Sequence, residues 1–446
     1  MATASRPLRL KNTPKTSGDD RDDFQHDRDI ILYSTALQRL SGITQVVSAE
    51  TGHVFHNRLT HSLQVAQVGR RLAEKLQLKQ PELTRHYEIN PDAVEAACLA
   101  HDLGHPPFGH LAESTLNTLA GNAVEGFEGN AQSFRIVAEL AFRSEEYSGL
   151  NLTYRTLRGV LKYPWTYPNR PSWKKNKWGA YTSELPVFEH AVGDSNGGLV
   201  ARAAEAELMD WADDLTYAIH DVEDFYRAGL IPLHLLRPAQ KGSTPLAERT
   251  RFLDYVWAKT NEDEIEELHG ISQSDLDEIF GDLLFVSFKL QTPFEGTKAD
   301  RTRLRIFTSR LVGRFINGLT LAEPGGKQAV VRDRDREKEV AVLKQLTWFY
   351  VIEAAGLAVQ QHAQRQMIKY LFNVFMHETN LRVSRLLPPY YRERLQDVIK
   401  AHGPGTLANR RVVIDLIAGM TESQAAAVYQ RLNGIVLGSA LDKILV

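Results

Sequence analysis

Apolar residues recur along most of this chain at the spacing of one face of a helix. Leu59, Ala66, Leu72 and Leu76, with Leu63 between them, return at near-3.6 steps, and no proline falls between Ser62 and Leu76. That pattern predicts a long amphipathic helix. Asn90-Pro91-Asp92 supplies an N-cap and first-turn signature ahead of a second helix over Ala93 to Leu103, and Gly104 supplies its stop. A third helix is expected from about Arg202 to Arg227, where Leu208, Ala212, Leu215, Ile219 and Val222 alternate at steps of four and three. Further helical patterns cover Leu283 to Leu290, Leu304 to Leu319, Glu337 to Tyr350 and Gln361 to Thr379. Val412 to Met420 leads into Thr421-Glu422, where Thr421 is the expected N-cap of the last long helix. Internal repeats, low-complexity tracts and sheet patterns are absent, so the expected fold class is all-α.

Three stretches break the rhythm. Residues 1 to about 27 are polar and aperiodic, and read as a disordered arm. Tyr163 to Gly198 carries four prolines, three tryptophans and several lysines. A segment of that length without periodicity usually has a role, here expected to be a lid or an interface loop. A last break at about Ile231 to Pro245 separates residues 28–230 from a helical region, 231–446, expected to supply pocket walls and oligomer contacts.

Composition narrows the class without naming a function. The 446 residues are 43% hydrophobic and 24% charged, ordinary values for a globular protein. The single cysteine, Cys98, has no intrachain partner and sits among alanines and leucines as a small core residue. Nothing approaches the roughly 18 consecutive apolar residues of a membrane span. The first residues lack the apolar region of a secretory signal, so the expected location is the cytoplasm. A net charge of -2 argues against a globally basic nucleic-acid binder. Lys174, Lys175 and Lys177, beside Trp173 and Trp178, and Arg301, Arg303 and Arg305 form local basic clusters. These read as solvated faces, with an anionic substrate as the alternative use.

The chemistry lies in a few polar residues on helical patterns. His61 sits in HNRLTHS (56–62), the doublet His101-Asp102 opens HDLGHPPFGH (101–110), and Asp213 falls in WADDLTY (211–217). Two imidazoles and two carboxylates suit a divalent first-row metal, and such a metal can position a phosphate and activate water. A lone histidine on a helix is most often a core or surface residue. The doublet differs because it ends an Ala/Leu-rich helix, where an unpaired buried carboxylate would be costly. Asp213, Tyr217 and Asp221 follow at i, i+4 and i+8 and form one stripe. Its bland alternative is a solvated acidic face shared with Glu205, Glu207, Asp210, Asp214, Glu223 and Asp224.

This set resembles the HD-domain phosphohydrolases, and the surrounding text resembles their deoxynucleoside triphosphate triphosphohydrolase (dGTPase-like) branch. Similar stretches are QRLSGITQVV (38–47), HNRLTHS, HDLGHPPFGH, FEGNAQSFRI (127–136), NLTYRTLRGVLKYP (151–164), MDWADDLTYAIHDVED (209–224) and RVVIDLIAGMT (411–421). The resemblance implies an HD-domain helical core with a largely helical C-terminal extension. It implies His61, His101, Asp102 and Asp213 as metal ligands, with Asp213 preferred to Asp214 because it keeps the four-residue steps to Tyr217 and Asp221. The metal would be Mn²⁺ or Mg²⁺, with Fe, Co or Ni as alternatives. Arg58, Lys162 and Tyr163 would contact the phosphates, and Gln45, Val46, Tyr217 and Asp221 the sugar end of the pocket. His105, His110, Glu113 and Glu128 would form the catalytic cluster, with His110 and Glu113 moving the proton.

The implied reaction is attack of water at the α-phosphorus of a dNTP, giving deoxynucleoside and inorganic triphosphate. No Walker-type phosphate loop is present. The implied partners are a nucleotide activator, single-stranded DNA and further copies of the chain, as a hexamer or tetramer. Arg301, Arg303, Arg382 and Arg385 read as surface charge, with nucleotide contact as the alternative. Other readings are an HD phosphohydrolase acting on nucleoside monophosphates or cyclic nucleotides, or a nucleotide- or single-strand-binding protein.

Overall fold

The computed structural model describes residues 8–12, 17–45, 56–193, 195, 198–237, 247–262, 264–286, 290, 292–326, 328–381, 384–403 and 406–436. Within them the fold is helical, with one short antiparallel hairpin, Leu319–Leu321 paired with Val330–Arg332. Val46 and Arg382 lie outside the described residues. Among the described residues, no single helix is long and apolar enough to cross a membrane.

Three helices form the centre: Arg58–Lys79, Pro91–Ala100 and Ala204–Arg227. The first starts where the Asn57 side chain accepts from the Thr60 amide. Its buried face is Ser62, Val65, Gly69, Leu72 and Leu76, and Leu63 is 41% exposed. The expected stripe was therefore phased slightly off, because a small-residue face (Ser62, Gly69) packs inward as readily as a leucine face. Gly69 permits the crossing with Pro91–Ala100: a Cβ there would lie 2.5 Å from Cys98 Sγ. Cys98 is buried, as a small core residue should be.

Ala204–Arg227 is buried along most of its length. The expected apolar stripe is buried, but so are Glu205, Glu207, Asp210, Asp221 and Asp224. The solvated acidic face is thus overturned, because neighbours cover the helix on its polar side too. Glu207 accepts from the amides of Ala329 and Val330, and Asp210 pairs with Lys162, Arg202 and Arg332. Buried acids of this kind persist only where partners replace water.

Other expectations shift in detail. The Leu283–Leu290 pattern belongs to a helix over Gln273–Val286, and Leu304–Leu319 to one over Lys298–Asn317 that yields to the hairpin. Arg334–Thr347 runs into a π-helical turn at Trp348–Ile352, followed by Ala355–Glu378. Thr421 caps Glu422–Leu432 through a capping box with Gln424. Three expectations about the breaks need correcting. Arg9 is buried against Asp27, Lys11 bonds to Asn151, and a helix begins at Asp23, so these parts of the arm are held by ion pairs and hydrogen bonds that composition does not reveal. Trp165, Trp178 and Tyr181 are buried together with Ala131, so this part of the 163–198 segment is a packed wall rather than a lid. One apolar core runs from Ile31 to Val351 without a division near 231. A second core joins Ala112, Leu116 and Phe127 to Ile368, Phe375 and Val412–Ile417, so the C-terminal helices pack onto Gly109–Ala120.

Candidate active site

A cleft of about 530 Å³ opens between the central helices and the C-terminal ones. At its base, Arg58 and His61 come from the first turn of Arg58–Lys79, His101 caps the end of Pro91–Ala100, and Asp213 lies midway along Ala204–Arg227. His61 Nε2 is 3.1 Å from Asp213 Oδ1, and His101 Nε2 is 3.5 Å from the same oxygen. His101 Nδ1 donates to the Cys98 carbonyl at 2.6 Å, so in the neutral ring that a cation would require it is Nε2 that carries the lone pair. That Nε2 is buried without a hydrogen-bond partner. A buried imidazole nitrogen of this kind, aimed with a second imidazole at one carboxylate, fits a divalent cation.

Asp102 stands beside the trio. Its Oδ1 is 3.5 Å from His101 Nε2 and 2.9 Å from His105 Nδ1, and its Oδ2 accepts from Arg58 at 2.6 Å. His61, His101 and Asp213 therefore form the compact group, with Asp102 adjoining it. Burial opposes ionisation here, yet the charges of His105, His101 and Arg58 hold Asp102 well below the usual carboxylate range. Burial would also lower His101, but Asp102 and Asp213 outweigh it and raise the imidazole to about 9. The site is built to hold positive charge among anions.

A second group faces the same cleft. His105 and His110 meet edge to face at 5.5 Å, and His110 Nδ1 is 2.9 Å from Glu113 Oε2. The His110 side chain is 79% exposed, whereas Glu113 is buried. Glu113 Oε1 also accepts from the Gly129 amide. Despite burial, the hydrogen bond from His110 and the charge of Lys177 keep Glu113 ionised to low pH. Glu128 does not line the cleft: it is buried as the N-cap of Gly129–Arg135, and burial raises its carboxyl. Lys177 sits between it and the cleft, 2.9 Å from Glu128 Oε1 and 3.6 Å from Glu113 Oε1.

Gln45, Arg58, Lys162, Tyr163 and Tyr217 line the cleft as well. Lys162 Nζ is 2.6 Å from Asp210 Oδ1 and 3.7 Å from Asp213 Oδ2. Asp221 does not reach the cleft surface; burial and the neighbouring Asp224 push its carboxyl well above the ordinary value. His56 is bound through both Nδ1 and its backbone amide to Asp224 Oδ2, which secures the turn just before Arg58. The sequence reading missed Lys177, Glu422, Trp348 and Gln361 as cleft residues. Only Lys177 left a trace, within a basic cluster read as solvated; Lys174 and Lys175 of that cluster are exposed. Arg301, Arg305 and Arg385 are exposed surface residues, and Arg303 pairs with Asp300.

Comparison with known proteins identifies related chains. The HD domain profile matches residues 58–218, and the phosphohydrolase-associated domain profile matches residues 330–431. A deoxyguanosinetriphosphate triphosphohydrolase-like protein of Streptomyces coelicolor is 36% identical over 431 residues, covering 92% of each chain. Proteins of the same name from Corynebacterium efficiens and Shewanella sediminis are 33% and 31% identical, over 93% and 97% of this chain. These matches, at 36% identity over 92% of each chain for the Streptomyces coelicolor protein, show that the chain belongs to the HD-domain family of metal-dependent phosphohydrolases, among the deoxyguanosinetriphosphate triphosphohydrolase-like proteins.

Proposed function

We propose that this chain hydrolyses deoxynucleoside triphosphates to deoxynucleoside and inorganic triphosphate. The observation that carries the reading is the meeting, in one cleft, of the His61/His101/Asp213 group with the His110–Glu113 pair and the cations Arg58 and Lys162. His61, His101 and Asp213, with Asp102 adjoining, would hold a divalent metal such as Mn²⁺ or Mg²⁺, which when bound supplies charge neutralisation at phosphate and activation of water. The protein's own groups do the rest. The Arg58 guanidinium is a fork of donors suited to phosphate oxygens, and Lys162 adds a point charge. Water adds to the α-phosphorus, the P–O5′ bond breaks, and the water proton is passed on so that the 5′-oxygen leaves as a hydroxyl. His110, whose Nδ1 is bound to Glu113, retains Nε2 for that transfer. Fixed charge, rather than a covalent intermediate, provides most of the stabilisation.

The purified chain incubated with each of the four dNTPs and Mn²⁺ or Mg²⁺ is expected to release nucleoside and triphosphate in equal amounts. Orthophosphate or pyrophosphate as the first product would refute the reading. Mixtures that react where single dNTPs do not would indicate a nucleotide activator. His110→Ala is expected to lower kcat by about 10²- to 10⁴-fold, the range for loss of a general acid or base. Bound metal, measured by elemental analysis, should be unchanged in that variant.

A further inference from the structure

We infer that Glu422, at the start of the Glu422–Leu432 helix, is a positioning residue for the reaction proposed above, an inference that rests on that reading. Glu422 Oε1 accepts from the amides of Thr44 (2.9 Å) and Phe108 (3.2 Å), and Oε2 accepts from Thr44 Oγ1 (2.7 Å). Each contact sits at the root of one half of the cleft. Thr44 bridges to Asn57, the residue whose side chain caps the helix carrying Arg58 and His61. Phe108 precedes the Gly109–Ala120 helix carrying His110 and Glu113, and has no side-chain capping bond. One carboxylate thus ties together the starting points of the metal-type group and of the proton-transfer pair.

The bland reading of an acid in a first helical turn is attraction to the helix dipole. Here that turn is already capped by Thr421 and Gln424, and both Glu422 oxygens are taken up by other elements. Phe108 adds an independent reason. Its φ is +68°, a left-handed conformation that a bulky side chain rarely adopts. Such a conformation persists only where its surroundings hold it, and it is found disproportionately at functional sites. The same junction is tied by Arg39, which donates to the carbonyls of Ala418 and Met420 on one side and of Leu103 and His105 on the other. Gly42 packs so closely on Thr421 that a Cβ would lie 2.8 Å from it. The C-terminal segment, in a region matched by the phosphohydrolase-associated profile, therefore contributes geometry to the cleft as well as a wall.

The test uses the full chain with Glu422→Ala and Glu422→Gln, each also combined with His110→Ala. Hydrogen exchange at the Thr44 and Phe108 amides should be at least about tenfold faster in Glu422→Ala, as expected for loss of a charged acceptor. Glu422→Gln should stay close to the wild type, because its amide oxygen can accept both N–H groups. Glu422→Ala should lower kcat by at least about tenfold with bound metal unchanged, yet slow the His110→Ala variant by less than about twofold, since residues acting as a unit are not additive. Unchanged exchange at both amides, or losses that multiply in the double variant, would overturn the inference. A wild type that releases no nucleoside would overturn the proposed function separately, and the exchange rates would still show whether Glu422 holds the two turns.

Discussion

Asp213→Ala abolishes metal binding and hydrolysis together, while Asp214→Ala leaves both nearly intact: this is the expected result with the largest effect on activity. The two aspartates are adjacent in sequence but point to different neighbours. Asp213 Oδ1 lies 3.1 Å from His61 Nε2 and 3.5 Å from His101 Nε2, so its loss removes the one anion that both imidazoles face. Asp214 instead pairs with Lys344 at 2.5 Å and Arg332 at 3.4 Å, away from the histidines. Changing a residue that only supports a metal ligand typically lowers affinity or activity by about 10- to 100-fold. Removal of Asp213 itself should therefore exceed roughly 100-fold, with metal content by elemental analysis falling in parallel. Asp214→Ala should stay within a few-fold, since partly exposed ion pairs contribute only about 0–1 kcal/mol. Equal metal loss in the two variants would show that the wrong aspartate has been assigned.

The second large effect is on stability. Arg135 and Asp415 form an ion pair buried between the HD-matched region and the C-terminal helices, with Arg135 Nη2 2.8 Å from Asp415 Oδ2 and Nε 3.1 Å from both oxygens. Gln132 also donates to Asp415 Oδ1 at 3.0 Å, and Glu184 accepts from Arg135. Forming such a pair from hydrated ions yields little net stability, but breaking it strands a charge away from water. Asp415→Ala is expected to destabilise the fold by about 3–5 kcal/mol and to lower the melting temperature by several degrees. Calorimetry of the metal-free protein measures this without a contribution from metal binding. A melting temperature within one degree of the wild type would mean that the neighbouring carboxylate of Glu184 compensates fully.

Much of the helical framework was legible in local patterns. Asn57, Asn90 and Thr421 cap helices through contacts within three residues, and such contacts are encoded by neighbours in the chain. The boundaries were less legible. Leu319 continues the apolar pattern of the preceding helix, yet it pairs with Arg332 because a hairpin partner thirteen residues away competes for its backbone. Arg9 falls in a stretch whose composition reads as a disordered arm, since composition alone cannot anticipate the Asp27 carboxylate waiting for it in the core.

For the site, the types of candidate ligand residue and their helical settings were visible, because metal chemistry restricts which side chains can serve. The sequence by itself determined that His61, His101, Asp102 and Asp213 would stand on or at the ends of helices. Only the tertiary structure decided that the first two imidazoles and Asp213 bring their donor atoms within 4.8 Å of one another, across 152 positions between His61 and Asp213. It also decided that Lys177 turns from a basic cluster toward Glu113 and Glu128, and that Glu422 reaches Thr44 across 378 positions. Periodicity records which face of a helix is apolar and a cap records where it begins. Which polar group a buried face will meet depends on how helices cross, and that is set by the packing of the whole chain.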